Sequence, residues 1–155
     1  MNFLKANKDN LNEIMLLYKE VIKTTFTTWG EDYPSRELIK SDIDDGNIYI
    51  VIEDNKIIAV SFLGVNEEEN EEWVNKLNNP LGIARICVRK EYQGKGIGSK
   101  IIHALEQDEY FLRAKRIEIP ASITAVEFYR KMGYDYKNGI AELDDEQIYR
   151  LEKFR

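Results

Sequence analysis

The most constraining feature of the sequence is an apolar run followed directly by a glycine-rich turn and a helical pattern. Residues 83–88 have the β-branched composition of a strand, and residues 91–100, EYQGKGIGSK, place three glycines within five positions. The next apolar residues recur at helical spacing, at Ile97, Ile101, Ala104 and Leu105. The first N–H groups of a helix lack intrahelical partners, and the helix dipole adds positive potential there. The pattern therefore predicts an anion-binding site, with phosphate as the expected ligand.

Two common phosphate motifs do not fit this turn. A P-loop requires Gly-x-x-x-x-Gly-Lys-Ser/Thr, but the fifth residue after Gly94 is Ser99, and the order Gly-Ser-Lys reverses the required one. The dinucleotide fingerprint requires Gly-x-Gly-x-x-Gly, whereas the glycines here are spaced two and two. The spacing therefore argues against a nucleotide-binding switch protein and against a dinucleotide-binding domain.

Before this block, the chain predicts a short N-terminal strand and two helices. Apolar residues recur at helical spacing over residues 11–22, after the capping candidates Asn7 and Asp9. A second helix begins at Ser35 and ends near Gly46.

Further strands and one more helix complete the predicted order. The other predicted strands are residues 48–52, 57–63, 116–119, 134–136 and 147–152. The first two flank Asp54 and Asn55, a hairpin signal. Thr124 and Glu127 fit a capping box before a helix that stops at Gly133. The order is β α α β β β α β α β β, which predicts a mixed sheet flanked by helices.

Composition limits the classes of protein to consider. The chain has 155 residues, 43% apolar and 32% charged, which predicts a single domain over residues 1–155. Neither a signal peptide nor a transmembrane pattern is found, so we expect a soluble, cytoplasmic protein without membrane association. With only one cysteine, Cys87, and one histidine, His103, we expect no disulfide and no metal site. The net charge of −6 argues against nucleic-acid binding.

An acidic run at residues 66–73 is the one shift in composition. It contains five glutamates. Such runs usually face water, and a docking surface for a cationic substrate is the alternative.

The spacing Gln93-x-x-Gly96-x-Gly98, within ICVRKEYQGKGIGS, resembles the GNAT superfamily of N-acetyltransferases. The resemblance spans nearly the whole chain, because it includes the element order, the later helix AVEFYRKMGY and the closing strand YRLEK. It implies a mixed, mostly antiparallel central sheet of about seven strands flanked by four helices, the acyl-CoA N-acyltransferase fold.

The resemblance also implies a site for acetyl-CoA. In this family the diphosphate of the cofactor lies on backbone amides of the turn, which here belong to Gln93, Gly94, Lys95, Gly96, Ile97, Gly98 and Ser99. The pantetheine arm pairs like an additional strand with the preceding strand, here at Ile86, Cys87 and Val88. Where many relatives carry an asparagine before the later helix, this chain has Ser122, whose hydroxyl can hydrogen-bond the arm or cap the helix.

Tyr129, in EFYRKMGY, matches the family's tyrosine that protonates the departing thiolate as general acid. Helical spacing alone would favour a core tyrosine at this position. Transfer from a thioester to an amine needs no covalent enzyme intermediate, because the neutral amine can attack the thioester directly. Cys87 is therefore expected to be a packed thiol, and His103 is expected to be an exposed side chain.

The general base is left open by the sequence. Glu118 resembles the strand glutamate that serves as base in some relatives, and a surface carboxylate is the alternative. Glu31 or Asp32 could instead face an acceptor site walled by Trp29 and Tyr33, and a water chain could also remove the proton. Pro120 is expected to break the strand that carries Glu118.

The resulting prediction is an N-acetyltransferase that moves an acetyl group from acetyl-CoA to a primary amine by direct attack in a ternary complex. The acceptor is a small-molecule amine or a protein amino group, and a homodimer is left open. The main alternative is a catalytically silent acyl-CoA-binding or regulatory module, which would keep the turn and lose the chemistry.

Overall fold

The computed structural model describes residues 1–24, 32–65, 81–108, 111–112, 114–145 and 147–155. The strands are β1 (Asn2–Lys5), β2 (Ile48–Glu53), β3 (Lys56–Val65), β4 (Leu81–Val88), β5 (Arg116–Ser122), β6 (Asp135–Tyr136) and β7 (Ile148–Phe154). The α-helices of these ranges are α1 (Leu11–Thr24), α2 (Arg36–Asp44), α3 (Ile97–Glu106) and α4 (Val126–Lys131). Within these ranges, no helix combines the length and the apolar character that crossing a membrane requires.

The strands form one mixed sheet of seven strands in the order β1-β2-β3-β4-β5-β7-β6. β1 with β2, β2 with β3, β5 with β7, and β6 with β7 are antiparallel, whereas β4 and β5 are parallel. This confirms the predicted fold class, including the closing hairpin of β6 and β7.

Contacts divide the chain into two compact units, Met1–Leu63 with Arg85–Ala104 and Gly64–Ala84 with Leu105–Arg155. The first unit contains a core in which α1 and α2 contribute residues that are fully enclosed, including Ile14, Leu17 and Ile39. β2 and β3 contribute Ile48, Ile50, Ile57 and Val60 to the same core. The single domain over residues 1–155 stays a prediction.

Local signals in the first unit behave largely as predicted. Ser35 caps α2, since its Oγ accepts from Leu38 N at 3.1 Å. Asn7 caps a short 3₁₀ turn that leads into α1, with its Oδ1 accepting from Asp9 N at 2.8 Å. Asp9 is therefore not a cap. Asp54 and Asn55 form the β2–β3 turn with φ values of 51° and 61°.

In the second unit, β5 continues through Pro120 to Ser122, so the prediction that proline breaks this strand was wrong. Pro120 faces Arg150 in the antiparallel pairing with β7. The register pairs between β4 and β5 are Leu81 with Ile117 and Gly82 with Glu118. Because Pro120 lies beyond that short ladder, its missing N–H removes no bond there.

The predicted capping box of the last helix was also wrong. The N-cap of α4 is Ala125, without a side-chain cap hydrogen bond. Glu127 lies 3.4 Å from Arg130 Nη1, and Thr124 Oγ1 lies 3.1 Å from Ser122 Oγ. Both side chains therefore have other partners than the helix start.

Candidate functional site

The glycine turn connects β4 to α3 and has a backbone that favours glycine. Gly94 and Gly96 have φ values of 74° and 79°, which L-residues with side chains rarely adopt. A Cβ atom built on either glycine would meet no atom of the described residues within 4 Å. Open space therefore lies over both glycines, directly before Ile97, the first residue of α3.

The N-terminus of α3 adds hydrogen-bond donors at this turn. Lys100 N donates to Gly96 O at 3.1 Å, so the amides of Ile97, Gly98 and Ser99 precede the first intrahelical bond. Lys95 and Lys100 are exposed. The turn combines amides without an intrahelical partner, positive potential and open space, which suits an anionic ligand.

Arg89 fixes the start of the turn within the first unit. Its backbone N donates to Ile58 O at 2.8 Å, and its Nε and Nη2 donate to Ile57 O at 3.2 and 2.9 Å. Its Nη1 lies 2.6 Å from Glu20 Oε2. This arginine, which is 7% exposed, links the end of β4 to β3 and α1.

The last three residues of β4 differ in burial. Cys87 is buried, whereas Ile86 and Val88 are half-buried. Burial raises the pKa of the Cys87 thiol to about 12, although Arg89 opposes the shift. The thiol is protonated at neutral pH, which agrees with a packed group. Gln93 Nε2 donates to Val88 O at 2.9 Å and joins the turn to the strand.

Arg85 is a strand residue with a left-handed backbone, at φ 51°. Its Nη2 forms a short ion pair with Asp42 of α2, its Nη1 donates to Tyr33 Oη at 3.3 Å, and its guanidinium lies 4.7 Å from the Phe62 ring centroid. Its carbonyl accepts from Tyr18 Oη at 2.9 Å. Arg85 thus joins α1, α2 and β3 to the middle of β4.

Tyr129 belongs to the second unit, on α4. It is 8% exposed, and its ring meets Phe128 edge-on with centroids 5.1 Å apart. Burial raises its pKa, so the phenol is protonated at neutral pH. Tyr134, in the same unit, has a buried hydroxyl without a hydrogen-bond partner among the described residues.

Glu118 is buried rather than exposed, so the alternative of a surface carboxylate was wrong. It is 4% exposed, and its Oε1 lies 2.9 Å from Lys137 Nζ and 3.4 Å from Arg116 Nη2. Glu152 faces it in the β5–β7 register and is buried too. Glu118 therefore has two cations near its carboxylate, and a second buried carboxylate lies opposite it on β7.

The remaining predicted residues are spread over the chain. Ser122, half-buried at the end of β5, does not cap α4. His103 is exposed, as predicted. Asp32 and Tyr33 are exposed, and Glu31, Trp29 and residues 66–73 lie outside the described residues.

The first unit therefore brings together Ile86, Cys87, Val88 and the turn from Gln93 to Ser99, whereas Glu118, Ser122 and Tyr129 lie in the second unit. Sequence reasoning missed Arg85 and Arg89. Their signal was available in the sequence, where Arg85 interrupts the apolar run of β4 and Arg89 follows it directly, because a charged side chain in or next to a buried strand requires partners.

The family model described as an acetyltransferase (GNAT) domain matches residues 44–136, more than half of the chain. The chain belongs to the GNAT acetyltransferase family. This confirms the resemblance seen in the sequence.

Two relatives from Bacillus subtilis match parts of the chain. The uncharacterized N-acetyltransferase YesJ of strain 168 is 24% identical over 104 residues, 63% of this chain and 58% of that protein. A probable spermine N(1)-acetyltransferase of subspecies natto, strain BEST195, is 30% identical over 96 residues, 59% of this chain and 60% of that protein. The match thus spans about three fifths of the length of each relative.

Among solved structures, a PaiA N-acetyltransferase from Thermoplasma acidophilum, in complex with coenzyme A, superposes with a TM-score of 0.75. The two chains are 17% identical, over 99% of this chain and 98% of that one. At this identity the likeness shows a shared fold.

Proposed function

We propose that this protein is an acetyl-CoA-dependent N-acetyltransferase that acts on a primary amine by direct attack in a ternary complex. The observation that carries the proposal is the turn at Gly94 and Gly96, which is open at both Cβ positions and precedes the N-terminus of α3. Family membership supports it. When bound, acetyl-CoA supplies an acetyl group activated as a thioester.

The turn from Gln93 to Ser99 fits the diphosphate of this donor. Residues 89–100 contain four cationic side chains and one carboxylate, in a chain whose net charge is −6. Local positive charge and helix amides favour a diphosphate over a neutral ligand. The half-buried Ile86 and Val88 are the proposed partners of the pantetheine arm, because strand backbone can pair with the amides of an extended ligand.

Tyr129 is the proposed proton donor. The phenol is protonated at neutral pH, which a general acid requires, and its low exposure limits competition from water. Ser122 is the proposed polar contact to the arm.

Glu118 is the proposed base, with Glu31, Asp32 and water as the alternatives. Its side chain is buried, and its Oε1 lies 2.9 Å from Lys137 Nζ and 3.4 Å from Arg116 Nη2. A base in this family has to remove a proton from the acceptor amine, and a carboxylate is a suitable group for that step.

The acceptor is proposed to be a small amine, with polyamines the first class to test. The relative named as a probable spermine N(1)-acetyltransferase supports this choice. Protein amino groups are the second class.

The test is release of free CoA thiol from acetyl-CoA, measured with spermine, agmatine, an arylalkylamine and a peptide with a free N-terminus. Acetyl-CoA should also stabilise the protein by about 2.7 kcal/mol at 100 times its dissociation constant, and ATP should do much less. Amine-dependent thiol release is the expected result. Tight binding of acetyl-CoA without release for any amine would favour the silent binding module, and equal stabilisation by ATP would refute the cofactor.

A further inference from the structure

Two buried carboxylates of the second unit lie opposite each other on neighbouring strands. Glu118 of β5 faces Glu152 of β7 in the antiparallel register, so both side chains lie on one face of the sheet with Cβ atoms about 5 Å apart. They are 4% and 9% exposed. Carboxylates are rarely buried to this degree unless cations or hydrogen bonds satisfy them. The partners of each oxygen therefore show what this place in the fold can bind.

The two carboxylates are satisfied to different extents. Glu118 Oε1 lies 2.9 Å from Lys137 Nζ and 3.4 Å from Arg116 Nη2. Glu152 Oε1 accepts from Asn138 N at 3.1 Å, but Glu152 Oε2 is buried without a hydrogen-bond partner among the described residues. The pair thus already has one aliphatic amino group beside it, that of Lys137, and one oxygen left for a further donor.

The oxygen without a partner points to a cationic ligand. Burying a carboxylate oxygen without a donor costs free energy, and a donor that arrives from outside recovers it. A positively charged donor recovers the most, because hydrogen bonds between charged groups are the strong ones. Lys137 shows that an amino group on an aliphatic stem fits beside these carboxylates. The chemistry that fits Glu152 Oε2 is therefore an aliphatic ammonium rather than an anion or an apolar group.

We propose that Glu152 selects acceptors that carry a second ammonium close to the reacting amine, and this inference rests on the proposed function. The reacting amine lies at Glu118, the proposed base, and the second ammonium donates to Glu152 Oε2. The two carboxylates face each other across neighbouring strands, so a short linker between the two nitrogens suits them. The substrate class is an amine with a short aminoalkyl arm.

The test measures kcat and KM for thiol release from acetyl-CoA with propylamine, trimethylenediamine and octamethylenediamine. A hydrogen bond to a charged group corresponds to roughly 10- to 100-fold in affinity. The wild-type protein should favour trimethylenediamine over propylamine by that factor in kcat/KM, through KM. Octamethylenediamine should lose most of this preference, because its second ammonium is far from the first. Glu152→Gln keeps an oxygen for Asn138 N and should reduce the preference for trimethylenediamine to about twofold, the effect of having two amino groups.

Glu142→Gln is the matched control, because Glu142 is an exposed carboxylate of the same unit. It should keep the wild-type preference, and urea midpoints check that both variants are folded. A folded Glu152→Gln protein with an unchanged preference, or with equal losses for propylamine and trimethylenediamine, would overturn the inference. A wild type that uses these two amines equally would overturn it without any variant, whereas a wild type that releases no thiol with any amine would refute the proposed function itself.

Discussion

Replacing Tyr129 by phenylalanine removes one hydroxyl and leaves the ring packed on α4. The side chain is 8% exposed and contacts Phe128 through its ring, and these contacts remain in the variant. Burial is the cause of its raised pKa, with no hydrogen bond contributing. We therefore expect the free energy of unfolding to change by less than about 0.5 kcal/mol, or roughly 1 to 2 °C in melting temperature.

The effect on turnover should be far larger if Tyr129 delivers the proton. A positioned general acid contributes roughly 10²- to 10⁴-fold in rate, which corresponds to about 2.7 to 5.4 kcal/mol of activation free energy. The loss should appear in kcat, with the affinity for acetyl-CoA nearly unchanged, because the proton is needed only as the carbon–sulfur bond breaks. The change in activation free energy should therefore be about fivefold or more larger than the change in the free energy of unfolding.

The assay measures kcat and the urea midpoint on the same preparation, with Tyr134→Phe as the control. Tyr134 is a buried tyrosine of the same unit, 1% exposed. Its replacement should leave kcat within about twofold of wild type. A folded Tyr129→Phe protein with full kcat would remove the acid from the mechanism, and equal losses in both variants would indicate a packing effect instead.

Three further predictions concern the turn, the buried carboxylate and the thiol. Gly96→Val should abolish acetyl-CoA binding, measured by calorimetry. Gly139→Val is the control, because Gly139 has a similar φ of 71° and equally open space at its Cβ position, and this change should only lower stability. Normal binding by Gly96→Val would exclude the turn as the diphosphate site. Glu118→Gln should lower the free energy of unfolding by about 1 to 3 kcal/mol, because the buried Arg116 and the half-buried Lys137 lose one charged partner, and adding Lys137→Met should recover part of it; an unchanged urea midpoint would contradict this. Burial raises the pKa of the Cys87 thiol to about 12, so the native state binds this proton more tightly than the unfolded state does. The free energy of unfolding should therefore fall as pH rises above about 8.5, by roughly 1.4 kcal/mol at pH 9.5. A Cys87→Ala protein whose free energy of unfolding falls equally over this pH range would refute this.

The features that the sequence predicted are those with a local cause. Ser35 caps α2 because its own hydroxyl reaches the amide three residues later, and Asp54 with Asn55 turns the hairpin because both tolerate positive φ. The glycine turn was predicted for the same reason, since Gly94 and Gly96 can adopt a positive φ because glycine lacks a Cβ atom. Such local signals do not depend on the tertiary contacts of the segment.

The features that were missed depend on partners distant in sequence. Glu118 is buried because Lys137 and Arg116 neutralise it. Arg116 shares its face of β5 at a spacing of two residues, but Lys137 could not be assigned to it from spacing. Pro120 continues its strand because the ladder to β4 ends two residues earlier. Tertiary context decided both cases against the local expectation.

The last three residues of β4 are flanked by two arginines with features that are unusual for a strand: a left-handed backbone at Arg85 and a buried guanidinium at Arg89. Arg85, with its left-handed backbone, lies before Ile86, Cys87 and Val88, and Arg89, with its guanidinium bound to the Ile57 carbonyl and to Glu20, lies after them. The buried guanidinium of Arg89 and the half-buried one of Arg85 carry a desolvation cost that apolar residues would avoid. The same contacts hold three consecutive backbone residues at both ends, and a rigid strand loses less conformational entropy when an extended ligand pairs with it. The proposed binding of the donor along Ile86, Cys87 and Val88 would make use of this rigidity.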